Sequence, residues 1–516
     1  MSDSPTDSGS MDQHVKLSRG ASYLIIQTLG VNVIMVVSFV ILARLISPQQ
    51  MGIWTILQLV NATCVAGLAW FTSAVTKFIA ENSVKEMKAA AAVFYQALRT
   101  TSIMFLPVVI GIYLGATFLA SHLVANSSYA LLFQILALDV FAYGAILPIV
   151  SAALLGLRMF RETAVVGLVV GGFVRQFLIL FLIIEMKNLV GLVIGWTISD
   201  AATAIIYLML AVRVLGPPTF DFSLNRLVRF SLPLELSSIT SFAQTWFDRA
   251  LLVLFVPLAT LGIYNAALTA FGALGSVSVS MSNMLLPAFS SIQQRTSLRE
   301  GVRLATRYAS LTLTPLAFCL LATAKPAITV FVGHSYVEGS MPLMIFSGAL
   351  GVSAFATALA PLFLALEETK LSAAITGVTV LISLGVAYLL LPEFGIIGAA
   401  TARALATILG AVLMVVLLGR KITLQLDRPM IIKTLIASGT MACAILAVQL
   451  VHYAAIMLPL YVLVGMMVYF LMLRLLKAVN ESDIELIRKF LGARLTMVSR
   501  ILGWLLLPRD RASKST

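Results

Sequence analysis

The sequence predicts an all-α membrane protein with about 14 transmembrane helices, arranged as two parallel six-helix lobes followed by two C-terminal helices. Three observations lead to this fold class. Fourteen long apolar stretches run through the 516 residues, basic residues fall on alternate connections between them, and similar short segments recur about 210 residues apart. The chain is 60% hydrophobic and only 11% charged, with a mean hydropathy of +1.00. Soluble domains carry about 25% charged residues, so this composition excludes a soluble protein.

Each apolar stretch is long enough to cross a bilayer, which needs roughly 20 residues in a helix. The first six predicted spans are 20–43, 52–74, 89–119, 128–156, 163–184 and 189–212. The next six are 230–256, 259–288, 308–332, 341–366, 371–391 and 396–419, and the last two are 432–453 and 456–476. The connections between them are short, which leaves no room for a soluble catalytic domain.

Basic residues define the predicted orientation. When successive connections are allotted to alternate sides of the membrane, 28 of the 35 Lys and Arg residues fall on the side that carries both termini. The opposite side has only Arg44 and Lys187, and the remaining five lie within spans. Positive loops resist translocation, so the rich side is predicted to be cytoplasmic, in a multi-pass protein of the cytoplasmic membrane.

The net charge of +13 is explained by these cytoplasmic connections, which would face anionic lipid headgroups. Nucleic acid is therefore not an expected partner. Cys64, Cys319 and Cys443 all fall within apolar stretches, and the four His residues make no metal-ligand spacing. We expect no cofactor and no metal.

Internal repetition predicts the two lobes. Gly52 and Gly262 open equivalent spans 210 residues apart, and Gly191 and Gly398 do so at an offset of 207. The segments 155–158 and 364–367 close equivalent spans at an offset of 209. Because six spans separate each pair, the two repeats have the same orientation, as in transporters with parallel repeats.

These patterns give a predicted domain organisation. A polar N-terminus that lacks a cleavable signal sequence is expected to be disordered, and an amphipathic basic tail is expected to lie on the inner leaflet. The predicted segments are 1–16 (disordered N-terminus), 17–213 (N-lobe), 214–229 (cytoplasmic linker), 230–419 (C-lobe), 430–477 (the last two helices) and 480–516 (basic tail).

Several segments, in order along the chain, resemble the polysaccharide flippase (Wzx-type) family of the multidrug/oligosaccharidyl-lipid/polysaccharide exporter superfamily. The resemblance extends over residues 17–477. It is carried by ARLISPQQMGIW (43–54), LGLRMF (155–160), RFSLPL (229–234), WFDR (246–249), GIYNAA (262–267), LPAFS (286–290) and PEFGIIGAA (392–400).

This resemblance implies two six-helix lobes with two extra helices, and translocation of a lipid-diphosphate-linked oligosaccharide to the outer leaflet for cell-surface polysaccharide synthesis and export. The expected partners are the polyisoprenyl-diphosphate-linked oligosaccharide, membrane lipids, and the glycosyltransferase and polymerase machinery. An alternating-access mechanism is expected, because two facing repeats enclose a central cavity.

Charged residues within spans are the candidate site residues, because each costs at least about 2.5–3.5 kcal/mol at a helix centre unless it has a partner, a water-filled cavity or a function. In the first lobe these residues are Arg99, Asp139, Arg175 and Asp200. In one interpretation the arginines bind the substrate phosphate and the carboxylates hold them in place or couple transport to an ion. In the other, they form two interhelical ion pairs, Arg99 with Asp139 and Arg175 with Asp200, without contacting substrate.

The second lobe offers Asp248, Arg249 and Arg403, with Glu235 nearer the inner end of its span. Arg249 and Arg403 join the predicted substrate-binding set, and Asp248 joins the charge-partner or ion-coupling set. Arginine suits phosphate because its guanidinium stays charged and offers two parallel donors.

Two other function classes compete with the flippase. An ion-coupled drug or metabolite antiporter of the same superfamily would favour a mainly acidic cavity, whereas here the cations within spans at least match the carboxylates. A membrane glycan polymerase or ligase would need a large outer loop, and none is predicted. The sequence therefore favours a flippase rather than an enzyme.

Overall fold

The computed structural model describes residues 7–290, 292 and 295–480, and all regular structure in those residues is helical. The helices up to the linker are α1 (Asp7–Leu45), α2 (Pro48–Leu68), α3 (Thr72–Asn82), α4 (Met87–Leu114), α5 (Ala116–Leu123), α6 (Ala130–Asp139), α7 (Leu147–Gly156), α8 (Phe160–Leu168), α9 (Arg175–Met186) and α10 (Leu189–Leu215). The helices beyond it are α11 (Leu224–Phe255), α12 (Leu258–Ser290), α13 (Arg295–Ala322), α14 (Ala324–Ala327), α15 (Ser340–Ser353), α16 (Ala360–Ala365), α17 (Thr369–Lys421), α18 (Arg428–Val451) and α19 (Leu458–Leu475).

Several spans contain a break in regular α geometry. Val140–Ile146 joins α6 to α7 and Val169–Val174 joins α8 to α9, both as π-helical segments. A third π-helical segment, Ile328–Val332, follows α14. Short 3₁₀ turns occur at Ser127–Tyr129, His334–Gly339, Ala354–Ala358 and Ala455–Met457.

The described residues contain twelve helical segments that are long and apolar enough to cross a membrane. The predicted spans 371–391 and 396–419 form one continuous segment, α17, that kinks at Gly395 (φ 52°, ψ −129°). The predicted span 230–256 corresponds to α11, which is not among the twelve segments and carries both acidic and basic side chains. The all-helical membrane class is thus confirmed, and the number of fourteen spans stays a prediction.

The described residues begin at Asp7 and end at residue 480. Helix α1 begins at Asp7, within the segment 1–16 that was expected to be disordered, and no proline interrupts it before Leu45. The predicted tail at 480–516 lies outside the described residues except for its first residue.

Two compact units divide the chain. Among the described residues, one contains those up to 253 and 257–262, and the other contains 254–256 and those from 263 onwards. The division falls at the end of α11 rather than at the predicted linker 214–229. The reason is that Leu227, at the start of α11, is fully buried in the same apolar cluster as Phe78 of α3 and Phe94 of α4.

The backbone of the second unit repeats that of the first. Arg158 (φ 60°) and Glu367 (φ 59°) adopt the left-handed conformation 209 residues apart, although neither is glycine. The turns around them close with the same bonds, from Met159 N–H to Leu154 O (2.9 Å) and from Glu368 N–H to Phe363 O (2.9 Å). Positive φ also recurs at Lys187 and Gly395, and at Ala125 and Gly333, in each case 208 residues apart.

The glycines that open the sixth and twelfth predicted spans have equivalent surroundings. A Cβ on Gly191 would collide with the carbonyl oxygen of Leu182, and a Cβ on Gly398 would lie 2.6 Å from that of Leu390. In each case two antiparallel helical segments approach so closely that no side chain fits. The recurrence of this contact 207–208 residues later supports the repeat inferred from sequence.

The start of α12 groups with the first unit because of a reciprocal glycine contact. A Cβ on Gly52 of α2 would collide with the carbonyl oxygen of Leu258, and a Cβ on Gly262 would collide with that of Pro48. Leu258 follows Pro48 by 210 residues, as Gly262 follows Gly52. Each glycine of this repeat-related pair therefore contacts the backbone of the first residue in the helix that carries the other glycine.

Candidate functional site: a charged cluster in the first unit

Three charged residues of the first unit meet within its membrane-spanning helices. Nη1 of Arg175 lies 3.4 Å from Oδ1 of Asp200. Asp139 is fully buried and interacts electrostatically with both of them. Helix α10, which carries Asp200, packs against α9 and α6, and these contacts bring Arg175 and Asp139 to it. We refer to Asp139, Arg175 and Asp200 as the charged cluster.

Irregular helix geometry positions two of the three residues. Asp139 is the last residue of α6, immediately before the π-helical segment Val140–Ile146. Arg175 is the first residue of α9, immediately after the π-helical segment Val169–Val174. A π segment inserts a residue into the α-helical register and rotates the side chains beyond it, and such segments are frequent at functional sites.

Neutral polar and aromatic side chains surround the cluster. Nδ2 of Asn61 on α2 donates a hydrogen bond to Oδ2 of Asp139. The Arg175 guanidinium carbon lies 5.7 Å from the centroid of the Trp196 ring, which in turn meets Trp54 edge-on with centroids 4.5 Å apart. Tyr143, within the π-helical segment after Asp139, also interacts electrostatically with all three charged residues.

The charges of the cluster do not balance. Two carboxylates, 0% and 2% exposed, face one guanidinium whose side chain is 25% exposed. Oδ1 of Asp139, Oδ2 of Asp200 and Nε of Arg175 have no hydrogen-bond partner among the described residues. Buried charges normally have their hydrogen-bonding capacity filled, so these open positions can accept a proton, a cation or, at Arg175, an anionic group.

The equivalent stretches of the second unit lack these charges. At offsets of 207–209 from Asp139, Arg175 and Asp200, the sequence carries only Phe346, Ser347, Gly348, Ile382, Ser383, Leu384, Thr407, Ile408 and Leu409. In these stretches α15 and α17 are regular α-helix, whereas the first unit has π-helical segments next to Asp139 and Arg175. Charge and local helix geometry therefore differ together between the two units.

Arg99 does not join the cluster, so the ion pair of Arg99 with Asp139 that one interpretation predicted is not formed. Nη2 of Arg99 donates a hydrogen bond to Oε1 of Gln96 (3.1 Å), and its guanidinium carbon lies 4.7 Å from the ring centroid of Phe220 in the linker. Asp139 pairs with Asn61 instead. The other predicted pair, Arg175 with Asp200, is present.

The remaining predicted residues lie elsewhere. Asp248, fully buried on α11, accepts a hydrogen bond from the backbone N–H of Arg249 (2.8 Å). The guanidinium carbon of Arg249 lies 4.3 Å from the centroid of the Trp246 ring. Both residues belong to the first unit, whereas Arg403 is half-buried on α17 in the second.

Some members of the site were not singled out from sequence. Asn61 is one of many polar residues in spans, and Trp54, Tyr143 and Trp196 carry no charge that would mark them as site residues. A signal existed for two of them, because Trp196 precedes Asp200 by four residues and Tyr143 follows Asp139 by four. That spacing places two side chains on one face of a regular helix. No sequence signal connects Asn61 to Asp139, which are 78 residues apart.

The helical spans and the ionisable groups buried among them define the class of protein. It is a multi-pass membrane protein with the buried charges typical of transport proteins. The chain belongs to the polysaccharide biosynthesis protein family, whose sequence model matches residues 41–341. The family inferred from the sequence motifs is thus confirmed.

One relative is a probable low-salt glycan biosynthesis flippase of Haloferax volcanii. It is 23% identical to this chain over 230 residues. The match covers 44% of this chain and 46% of that protein, so the chain spans about half the length of this relative.

Similar folds occur among solved structures. The lipid II flippase MurJ, in an inward closed conformation, superposes with a TM-score of 0.72 at 15% identity, covering 87% of this chain and 97% of that one. A multidrug resistance MATE family transporter of the MOP superfamily, in an inward-facing conformation, gives a TM-score of 0.62 at 14% identity and covers 77% and 94%. At these identities the likeness establishes the shared fold.

Proposed function

We propose that this protein is a flippase that translocates a lipid-diphosphate-linked oligosaccharide across the cytoplasmic membrane by alternating access, for cell-surface polysaccharide synthesis and export. Membership of the polysaccharide biosynthesis protein family supports this function, as do the flippases among its relatives. Both termini lie in the cytoplasm, and the partners are the lipid-linked oligosaccharide, membrane lipids, and the glycosyltransferase and polymerase machinery. The protein works as a transporter rather than as an enzyme.

We base the site assignment on the charged cluster, which is present in one repeat and absent from the other. Arg175 binds the phosphate head of the substrate, with Asp139 and Asp200 as the charge partners that hold it. Its partly exposed guanidinium has an unfilled Nε and lies against an aromatic ring, which leaves donors for a phosphate. Arg99, Arg249 and Arg403 are further phosphate-binding residues, and Asp248 is a further charge partner or ion-coupling group.

Cells lacking the chromosomal gene provide the test of function. The wild-type gene on a plasmid should restore surface polysaccharide, measured on intact cells, and prevent accumulation of lipid-linked oligosaccharide, measured in extracted membranes. Unchanged surface polysaccharide and no accumulated intermediate in the deletion strain would refute the proposed flippase.

Substitutions at Arg175 test the site in the same strain. Arg175→Gln should reduce surface polysaccharide at least about tenfold, because a charged hydrogen bond contributes about 1.5–3 kcal/mol. Arg175→Lys should rescue partly, since it keeps the charge but loses the paired donors. Arg161→Gln, an exposed arginine on α8, is the matched control and should be without effect.

A double variant separates substrate binding from packing. Arg175→Gln alone leaves Asp200 without its cation, whereas Arg175→Gln with Asp200→Asn removes both charges of the pair. We expect the double variant to reach the membrane at wild-type levels and to stay inactive. Full activity in the double variant would assign these charges to packing.

The surplus carboxylate favours one second candidate, an ion-coupled antiporter of a drug or metabolite. Asp139 and Asp200 share a single cation, and an excess buried carboxylate is suited to carrying a proton or a metal cation. In that case the deletion strain would keep its surface polysaccharide. Vesicles containing the protein would instead release a preloaded organic cation when an inward proton or sodium gradient is imposed.

A further inference from the structure

A basic cavity of about 290 Å³ lies in the second unit, apart from the charged cluster. It is formed where the first turn of α13 meets the end of α17 and the extended connection that follows. Its main lining residues are Leu298, Arg299, Arg420, Lys421, Ile422 and Thr423. We refer to it as the basic cavity.

Side chains of α13 hold the connection that forms one wall. Nη2 of Arg299 donates a hydrogen bond to Oγ1 of Thr423 (3.0 Å). Eight residues further along α13, Nη1 of Arg307 lies 3.0 Å from Oδ2 of Asp427, which also caps α18 by accepting from the N–H of Met430. The connection is therefore fixed at two points, and the cavity is a built feature rather than a chance gap between loops.

Positive charge in the basic cavity is only partly neutralised. Nζ of Lys421 lies 2.7 Å from Oε1 of Glu368. Within the described part of the chain no carboxylate pairs with Arg299 or Arg420, and Arg299 is bonded only to a neutral hydroxyl. The start of α13 and the end of α17 both adjoin the cavity, so their opposing helix dipoles largely offset each other and the arginines decide the charge.

Apolar side chains lie directly beside these cations. Leu298 and Ile422 line the cavity and pack against a buried apolar cluster that includes Phe289, Leu362 and Leu418. A purely ionic ligand would gain nothing from these neighbours. An amphiphile would place its anionic group on the arginines and its apolar part along Leu298 and Ile422.

We propose that the basic cavity binds the phosphate group of an anionic phospholipid. Its volume is at the small end of ligand sites, which run from roughly 300 to 1,000 Å³, so it accepts a headgroup phosphate but excludes a large glycan. Arg299 and Arg420 supply the charge and the paired donors that phosphate prefers. The site lies between two connections predicted to be cytoplasmic, where the anionic lipid surface is found.

Binding of short-chain lipids to the purified full chain tests the proposal. The probe is dihexanoyl phosphatidylglycerol, titrated in detergent and followed by microscale thermophoresis, with dihexanoyl phosphatidylcholine as the zwitterionic comparison. Each basic residue near a lipid surface contributes about 1 kcal/mol, so Arg299→Gln or Arg420→Gln should weaken binding about fivefold. The double variant should weaken it on the order of 25-fold.

Controls separate the site from general charge and from misfolding. Arg420→Lys keeps the charge and should stay within a few-fold of the wild type, while Lys88→Gln, an exposed cation of the first unit, should bind normally. Arg420→Gln should keep the wild-type melting temperature without lipid, whereas Arg299→Gln and the double variant should melt slightly lower because they lose the bond to Thr423. Equal binding of the probe by the folded double variant and the wild type would overturn the proposal.

Glycerol 3-phosphate and inorganic phosphate distinguish the source of the phosphate. Weak binding of both, together with strong, arginine-dependent binding of phosphatidylglycerol, supports a lipid headgroup. If glycerol 3-phosphate binds as tightly as the lipid and depends on both arginines, the phosphate site is supported and its ligand is a soluble phosphate.

Discussion

At the scale of single residues, the first unit differs from the second in its buried charges. The charged cluster occupies positions that the second unit fills with neutral side chains, although both units share left-handed turns and close glycine contacts. Buried charge is costly in a membrane helix, and we propose that the first unit keeps it for substrate binding. The glycines that both units share have a structural role, because a close backbone approach requires them in both copies.

Gly52 provides a prediction at this scale. Gly52→Ala should destabilise the protein by on the order of 1–3 kcal/mol, because the added methyl group meets the backbone of Leu258, which cannot rotate away as a side chain can. Gly67→Ala in the same helix has open space around it and should be neutral or stabilising by up to about 1 kcal/mol. Melting temperatures of the two purified variants in detergent provide the measurement. Similar melting temperatures for both would contradict the close contact.

At the scale of elements, the segment between α10 and α11 is attached to the first unit along α4. Oη of Tyr95 donates a hydrogen bond to the carbonyl oxygen of Gly216 (2.6 Å), and the ring of Phe220 packs against the Arg99 guanidinium. Gly216 has φ of 77° and is followed by two prolines, so α10 ends there and the chain turns back along its own unit. The predicted linker is therefore a docked segment.

Loosening this attachment should expose the segment to protease. Tyr95→Phe removes one hydrogen bond worth about 0.5–1.5 kcal/mol, so cleavage within residues 213–226 should become about two- to tenfold faster. Limited trypsin digestion, with fragments identified by mass, measures the rate. Tyr113→Phe, which alters an exposed tyrosine of the same helix, is the control. Equal cleavage rates in wild type and Tyr95→Phe would mean that the hydrogen bond does not hold the segment.

The π-helical segments are the elements that sequence periodicity could not reveal. Asp139 and Arg175 lie in spans whose uninterrupted apolar character predicts regular helices. An inserted residue changes which face each later side chain occupies, and only packing against neighbouring helices decides whether it forms. For this reason the sequence identified the charged residues and offered one pair that forms, Arg175 with Asp200, but also one that does not, Arg99 with Asp139.

For the whole molecule, the distribution of basic residues predicts the orientation in the membrane. Single cysteines at Ser297 and Ser335, both exposed, should lie on opposite sides in a variant lacking Cys64, Cys319 and Cys443. Ser297 precedes a basic helix and is predicted to be cytoplasmic, while Ser335 is predicted to be external. An impermeant maleimide should label the cysteine at 335 on intact cells and the cysteine at 297 only after lysis. Equal labelling of both on intact cells would refute the orientation.

The sequence by itself determined the membrane class, the repeat and the family. These follow from composition, from charge on alternate connections and from glycines that recur at a fixed offset, all of which are local or periodic signals. It also named the charged residues of the candidate site, because an ionisable group in an apolar span is conspicuous without a structure.

Only the tertiary structure decided how those charges are grouped. It separated Arg99 from Asp139, added Asn61 and Trp196 to the site, placed α11 in the first unit and formed the basic cavity from segments about 120 residues apart. Each of these depends on helix rotation and on contacts between distant segments. Such contacts are set by side-chain packing in three dimensions, which leaves no periodic trace along the chain.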